Sequence, residues 1–509
     1  MDVITAVMLV LLLLVLAWSY VLGSNSPKHR GKLAPGPYPF PIIGNIFQLG
    51  RKPHRSLAKL SETYGPLMSL QLGSIYTVVV SSPEITKEVL QKHDHVLSGR
   101  TIGAAAQVHN HHNISMAYLP VGNQWRKIRK ICKEQMFSNP RLDAGRSLRQ
   151  EKLKELCDYV RECCVKGRAV DIGEAAFITS LNLMSATLYS EDFTSFNSES
   201  TTHEWREIIR GVVKTVGVPN VADFFPVLKR FDPQGITKEA EFYFGKLLEM
   251  FEDVVKQRLH SRNITSPNPP PKKNDMLEAL LDLGEGSEDA FFSSNHIKHL
   301  LLDLFIAGSH TTSSTVEWAI TELLLNPTKM SRAKNELRTV VGENKQVEES
   351  DISTLPYLQA VIKEILRFHP AGPLLIPHKS EADVEINGYT IPKNTQILVN
   401  VWAMGRQSNL WSSPNSFEPE RFLDNKVVDF KGQYFEYIPF GSGRRICPGL
   451  PLANRMLHIL VASLIQNFDW ELEPGTKPED VDTTEKFGLA LHKAVPLKAL
   501  PVKLTTFQP

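Results

Sequence analysis

Phe440-Gly441-Ser442-Gly443-Arg444-Arg445-Ile446-Cys447-Pro448-Gly449 sets one cysteine in a glycine-rich loop, directly before an apolar stretch that reads as a helix. A thiolate in such a loop can be the single protein ligand of a haem iron, where it pushes electron density onto the metal and favours O–O cleavage. Gly443 and Gly449 permit backbone geometry and close approach that a side chain would block. Exposed N–H groups of the loop can hydrogen-bond the sulfur and hold it ionised. Arg445, two residues before the sulfur, offers a forked cation to a haem propionate. A turn followed by a buried structural cysteine is the plainer alternative. Against it stand the five fixed positions Phe440, Gly443, Arg445, Cys447 and Gly449.

The spacing Phe-x-x-Gly-x-Arg-x-Cys-x-Gly resembles the haem-binding signature of the cytochrome P-450 superfamily, and three further stretches extend the likeness. In Lys363-Glu364-Ile365-Leu366-Arg367, Glu364 and Arg367 fall at i and i+3 on one helix face. Alone, such a pair reads as a solvated ion pair worth ~0–1 kcal/mol. Followed by Pro419-Glu420-Arg421-Phe422 and then the cysteine loop, it resembles the superfamily's Glu-x-x-Arg and Pro-Glu-Arg-Phe signatures. The resemblance implies a buried structural network of Glu364, Arg367 and Arg421 bracing the haem loop.

In Trp125-Arg126-Lys127-Ile128-Arg129-Lys130, Trp125 and Arg129 share a face. The resemblance turns that face to the haem, with both side chains reaching a propionate. Arg126, Lys130 and Lys133 form a neighbouring stripe, either a solvated basic face or a dock for an acidic electron donor.

Leu304-Phe305-Ile306-Ala307-Gly308-Ser309-His310-Thr311-Thr312 lies inside a long apolar helix. A glycine there costs ~1 kcal/mol relative to Ala and needs a reason. Small residues at Ala307 and Gly308 would open room above the iron for dioxygen, and Thr311 would supply a hydroxyl to a proton relay. A loosely packed core helix is the alternative. The stretch resembles the superfamily's oxygen-activation motif, with His310 where the family has an acid; histidine relays protons only near its own pKa. His378 likewise stands where relatives carry arginine as a propionate partner. His109, His111 and His112 cluster in a loop that lacks a nearby carboxylate or cysteine partner in sequence, which argues against a metal site.

The rest of the chain fits this frame. Its 509 residues are 42% apolar and 22% charged with a formal net charge of +2, unlike a nucleic-acid binder. The five cysteines, Cys132, Cys157, Cys163, Cys164 and Cys447, show no CxxC spacing, so neither a disulfide framework nor a zinc site is expected. Val3 to Gly23 carries no charged side chain and is long enough to span a ~30 Å hydrocarbon core. Trp18 and Tyr20 suit an interface, and Lys28, Arg30 and Lys32 follow, which puts the remainder on the cytoplasmic side. A cleaved signal peptide would want a basic start and a shorter apolar run. The triplets Asn113-Ile-Ser115 and Asn263-Ile-Thr265 would then go unglycosylated.

The expected organisation is an anchor helix over 1–24, a basic and proline-rich hinge over 25–45, and a haem-thiolate catalytic domain over 46–509. Leu33 to Pro41 is too rich in proline for helix and reads as a stiff connector. Ser69 to Ser81 reads as strands, Pro83 to Arg262 as mainly helix, and Thr265 to Asp275 as a polar loop. Ser294 to Leu325 reads as a long helix stopped by Asn326-Pro327, and Val384 to Pro392 as a hairpin turning at Asn387-Gly388. The fold class is mainly α with a minor, segregated β-sheet (α+β), the cytochrome P-450 fold by resemblance.

Local stretches such as Lys130 to Ser138, Asn220 to Leu228, Asp232 to Gly235 and Leu355 to Glu364 look like the plant terpenoid-hydroxylase branch that includes geraniol 8-hydroxylase and ferruginol synthase. The resemblance implies an NADPH- and O2-dependent haem-thiolate monooxygenase. Its cofactor would be haem b, with Cys447 the axial ligand of the iron. Its place would be the endoplasmic reticulum membrane, with the catalytic domain facing the cytosol. No nicotinamide or flavin fingerprint is present, so electrons would come from a separate NADPH-cytochrome P-450 reductase, with cytochrome b5 a further candidate donor. The substrate would be a hydrophobic terpenoid, first an abietane-type diterpene and second a geraniol-like monoterpenoid. The wall would come from the 100–118 loop, the 205–225 region, Phe305 to Thr311, Ala371 to Ile376 and Phe487 to Ala490. Two other readings are a haem-thiolate isomerase or dehydratase that does not use O2, and a non-catalytic haem-binding membrane protein.

Overall fold

Leucine-rich runs on all sides of one helix, rather than on one stripe, mean a helix that threads the core. Ser294–Leu325 is that helix, and it ends where Asn326 gives way to Pro327 at the start of the next. The computed structural model describes residues 8, 12, 31–196, 200–263, 272–285, 292–342, 345–424 and 428–503. The longer helices are α1 Pro53–Tyr64, α2 Asn123–Gln135, α3 Arg146–Val165, α4 Ile172–Tyr189, α5 Ser200–Gly217, α6 Ile236–Arg262, α7 Ser294–Leu325, α8 Pro327–Val340, α9 Pro356–Phe368 and α10 Leu450–Asn467. Helix α7 packs along α4 on one side and meets α6, α9 and α10 on others. Its residues Trp318, Ala319 and Ile320 are wholly buried in the main apolar core.

The strands are short: β1 Leu67–Leu72, β2 Ile75–Val80, β3 Gly99–Arg100, β4 Val170–Asp171, β5 His378–Lys379, β6 Val384–Ile386, β7 Tyr389–Ile391, β8 Gln396–Val399, β9 Asp469–Leu472, β10 Glu485–Lys486, β11 His492–Lys493 and β12 Lys498–Val502. The largest sheet runs β1-β2-β8-β5-β3, with β2 and β8 parallel and the other pairs antiparallel. Strands β6 and β7 form the expected hairpin, with Asn387 and Gly388 at φ 49° and 74°, as a two-residue type I′ turn requires. The remaining sheets are β4-β12-β9 and β10-β11. The architecture is thus mainly helical with small sheets.

Residues 34–45 run beside β1. The Ser69 amide donates to the Pro35 carbonyl at 2.7 Å, the Gln71 amide donates to Asn45 Oδ1 at 2.8 Å, and Ala34 is buried against sheet residues. Among the described residues no helix is long and apolar enough to cross a membrane. The anchor expected over 1–24 lies outside the described residues save for Met8 and Leu12. Most of the loop expected over 265–275, and the end of the triplet at Asn263, also lie outside them.

Candidate active site

A cavity of about 710 Å³ lies between α7, the cysteine loop and the 100–118 segment. Cys447 lines it, and its backbone amide donates to the Phe440 carbonyl at 3.0 Å, closing the loop. Burial pushes the Cys447 thiol up, opposed by hydrogen bonds from the Gly449 and Leu450 amides and by the charge of Arg129. The sulfur therefore already has the donors that a thiolate would need. Phe440 borders the cavity and meets Phe430 edge-on at 5.6 Å.

The two loop glycines differ. Gly443 sits at φ +68°, and a Cβ there would fall 2.0 Å from the Leu90 carbonyl oxygen. Gly449 has φ −81°, and a Cβ would meet no protein atom nearer than 3.8 Å. Against protein atoms the steric need holds at Gly443, and Gly449 directs its amide to the sulfur. Gly443→Ala should therefore lower stability by roughly 2–4 kcal/mol, from left-handed strain and a backbone clash together. Chemical denaturation of that variant beside Gly449→Ala checks it, and equal midpoints would refute the distinction.

Three guanidiniums converge on this end of the cavity. Arg445 donates to the carbonyls of Ser98 at 3.1 Å, Met116 at 3.3 Å and Leu119. Arg129 donates to Ile446 O at 2.8 Å. The Trp125 ring lies between their guanidiniums, 4.8 Å from Arg445 and 5.5 Å from Arg129, and its own N–H goes to Met116 O at 3.2 Å. Arg100, which the sequence reading passed over, donates to Ile376 O at 2.6 Å. Burial lowers Arg445 to about 10 and Arg100 to about 9. Among the described residues none of these three guanidiniums has a carboxylate within ion-pair distance. Arg444, next in sequence to Arg445, instead turns away to Asp94 at 2.7 Å. Buried positive charge without a counter-ion is costly, so this end of the cavity fits a group bearing carboxylates.

His378 does not behave as the expected propionate partner. Burial, then Arg100, lowers it to about 3, so it is neutral. Its Nδ1 lies 2.8 Å from the Leu97 carbonyl, which can only accept. The proton is therefore on Nδ1, and Nε2 is left bare, unable to donate to an anion. The cation at this position is Arg100, the β3 partner of His378.

On α7, Ala307 and Thr311 are one turn apart and exposed although the helix is in the core, because they open onto the cavity. The Thr311 hydroxyl donates back to the Ala307 carbonyl at 2.8 Å. Gly308 also lines the cavity, but a Cβ there would lie 2.5 Å from Met184 Sδ on α4. Its small size thus lets α4 and α7 approach, while the open cavity wall on this turn is at Ala307. Burial, then His492 and Arg210, lowers His310 to about 4. Its Nε2 is buried with no hydrogen-bond partner among the described residues.

Glu364 and Arg367 are fully buried and doubly bonded, at 2.7 Å each. Arg421 Nε lies 3.1 Å from both Glu364 oxygens, and the Glu418 amide adds a fourth donor at 2.7 Å. The predicted trio therefore meets, away from the cavity.

The wall matches expectation at 100–118, at 212–224 within the 205–225 region, at Ala371 to Ile376 and at Phe487 to Ala490. Leu375 in this wall holds a left-handed φ of 52°. Phe305 is an exception: it points into the core against Phe193 and Phe251. Ser180, Leu183 and Met184 of α4 also line the cavity, and nothing in their local sequence marks them. His109, His111 and His112 diverge. His109 turns to the Glu241 carbonyl at 2.8 Å, and His111 to His299 and Asp303. Among the described residues no group of three or more His, Cys, Asp or Glu could hold a metal ion.

The profile described as Cytochrome P450 matches residues 34–497. A ferruginol synthase of Isodon rubescens is 56% identical over 476 residues, covering 93% of this chain and 95% of that protein. A ferruginol synthase of Salvia miltiorrhiza is 54% identical over 475 residues, 93% and 95% of the two chains. A carnosic acid synthase of Rosmarinus officinalis is 52% identical over 477 residues, 93% and 94%.

Proposed function

The chain belongs to the cytochrome P450 family and is a monooxygenase of that family; from this premise we propose that it hydroxylates a hydrophobic terpenoid in the cavity above Cys447. An abietane-type diterpene is the first choice, in keeping with relatives named ferruginol synthase and carnosic acid synthase. A geraniol-like monoterpenoid is the second. One observation carries the site assignment: a cysteine sulfur with two amide donors beside three guanidiniums, Arg100 buried and Arg129 and Arg445 half-buried, that hydrogen-bond only to carbonyls and meet no carboxylate among the described residues.

In this reading Cys447 ligates the iron of haem b. Arg445, Arg129 and Arg100 hold its carboxylates, while Trp125 stiffens the cation cluster. When bound, the haem supplies the activation of dioxygen and the transfer of one oxygen atom to a C–H bond. Ala307 leaves space on α7. Thr311 presents its Oγ hydroxyl as the group that passes a proton inward. His310 is the neighbouring proton-handling group, neutral through the physiological range because its pKa lies near 4. Glu364, Arg367 and Arg421 are structural. Electrons would come from an NADPH-dependent reductase at the endoplasmic reticulum membrane, for which the exposed stripe Arg126, Lys130 and Lys133 on α2 offers a dock.

Membranes carrying this chain with a plant reductase, NADPH and a panel of abietanes and monoterpenoids test the reading by mass spectrometry. The expected product is heavier by one oxygen and absent without NADPH. No such product from any terpenoid would overturn it.

His310→Asp should raise the fraction of NADPH that ends in product by roughly two- to tenfold, since a carboxylate relays protons across neutral pH. Parent coupling should stay flat between pH 6 and 8 as far as His310 is concerned, because a group titrating near 4 does not change charge there. Unchanged or worse coupling in His310→Asp would remove His310 from the relay.

A further inference from the structure

Helix α7 turns a second polar group into the cavity. Asp303 stands between Leu302 and Leu304, both buried, yet its side chain is 11% exposed and lines the cavity. Its two oxygens are already engaged on one side. Oδ1 accepts from the Ser115 hydroxyl at 2.8 Å and lies 3.1 Å from His111 Nε2, while Oδ2 accepts from the Met116 amide at 2.7 Å.

The direction of the histidine contact follows from its other nitrogen. His111 Nδ1 is 2.9 Å from His299 Nδ1, so one proton lies between them. Burial lowers His299 to about 3, so that ring is neutral. A bare His111 Nε2 facing a carboxylate oxygen would be repulsive, so His111 presents Nε2–H to Asp303.

A carboxylate has about four lone-pair sites. Two accept hydrogen bonds from Ser115 and Met116, a third faces His111 Nε2 at 3.1 Å, and the remaining one, on Oδ2, accepts no hydrogen bond among the described residues. Met116, Ala117, Leu302 and Ile306 beside it offer no side-chain donor, and Tyr118, which also lines the cavity and whose phenol is pushed up to about 12 by burial and Asp303, makes no hydrogen bond to the carboxylate. An acceptor left open inside an apolar cavity is costly, and a ligand that fills it gains a charge-assisted hydrogen bond.

We propose that Asp303 anchors an O–H donor on the substrate, so that the preferred substrate is a terpenoid alcohol or phenol rather than a hydrocarbon. The inference rests on the terpenoid reading above. Asp303 and Thr311 are eight residues apart, about 12 Å along the helix axis. The anchored hydroxyl and the oxidised carbon therefore lie at opposite ends of the molecule. A reaction that installs a hydroxyl on the terpenoid skeleton must precede this one.

The test is equilibrium binding, followed by the change in haem absorption as ligand displaces water, on the full-length haem-loaded protein without NADPH. The ligands are a hydrocarbon, its alcohol and the methyl ether of that alcohol, for a monoterpene, a sesquiterpene and a diterpene skeleton. Transfer from water alone would favour hydrocarbon and ether. Asp303 predicts the reverse: for the skeleton that binds, the alcohol binds about tenfold or more tighter than either. In Asp303→Asn the alcohol's advantage falls to about twofold or less. In Ser115→Ala, which loosens the 108–118 wall but leaves the open lone pair, the advantage persists.

Equal affinity for alcohol and ether in the parent protein would overturn the anchor while leaving the terpenoid reading intact, and it needs no variant to fold. A preference retained in Asp303→Asn would also overturn it. No response from any skeleton would overturn the terpenoid reading, and this proposal with it.

Discussion

Cys447→Ser should abolish NADPH-dependent product, by about a thousandfold or more, equivalent to at least ~4 kcal/mol of barrier. A serine hydroxyl stays protonated where a thiolate forms, so it cannot donate the same electron density to iron. The loop itself should survive. The Cys447 amide still reaches Phe440 O, and the Gly449 and Leu450 amides can hydrogen-bond an oxygen as they do the sulfur. Product mass spectrometry, haem absorption and a thermal melt on one preparation separate these effects. A folded Cys447→Ser protein that turns over normally would remove Cys447 from the chemistry.

The second large effect is on stability. Arg367→Leu should destabilise the protein by about 3–5 kcal/mol, the usual result of breaking a buried ion pair from one side. Arg367 does more than pair with Glu364. It also donates to the carbonyls of Gly405, Pro414 and Ser416, pinning the segment that leads toward the cysteine loop. Leucine removes the Arg367 donor from the Gly405 and Pro414 carbonyls, leaves Ser416 O to Arg421 alone, and leaves Glu364 with only Arg421 and one amide. Arg367→Lys should recover less than half of the loss, because one ammonium cannot fork to a carboxylate and three carbonyls. Denaturant midpoints read both variants, and a midpoint for Arg367→Leu at the parent value would show the network to be dispensable.

What the sequence made legible is what is local. The extent of α7, the β6–β7 turn and the cysteine loop each depend on neighbours within a few residues. Glycine, proline and apolar spacing report such dependence directly. Arg445 rather than Arg444 as the inward cation was legible only through the family pattern, since the two are chemically alike. The failures are all matters of three-dimensional company. Gly308 owes its size to Met184 on another helix. His378 loses its proton-donating edge to Leu97 O. Arg100 became part of the site because a two-residue strand pairs it beside His378. Asp303 reads as a break in an apolar run until Ser115 and His111 arrive from the far side of the cavity.

The pairing of β2 with β8 has a consequence in time. These strands are parallel neighbours, Thr77 beside Gln396, yet they come from opposite ends of the chain. Closing so long a loop is entropically slow, and nothing on the early side can substitute for the late strand. As the chain leaves the ribosome, the β1–β2 hairpin must wait with an open edge through the synthesis of nearly every helix. The cysteine loop emerges only after β8. The cysteine loop is therefore made late, ahead of α10 and β9–β12, and a chain cut short before β8 is left with an unpaired, sticky sheet edge and without that loop.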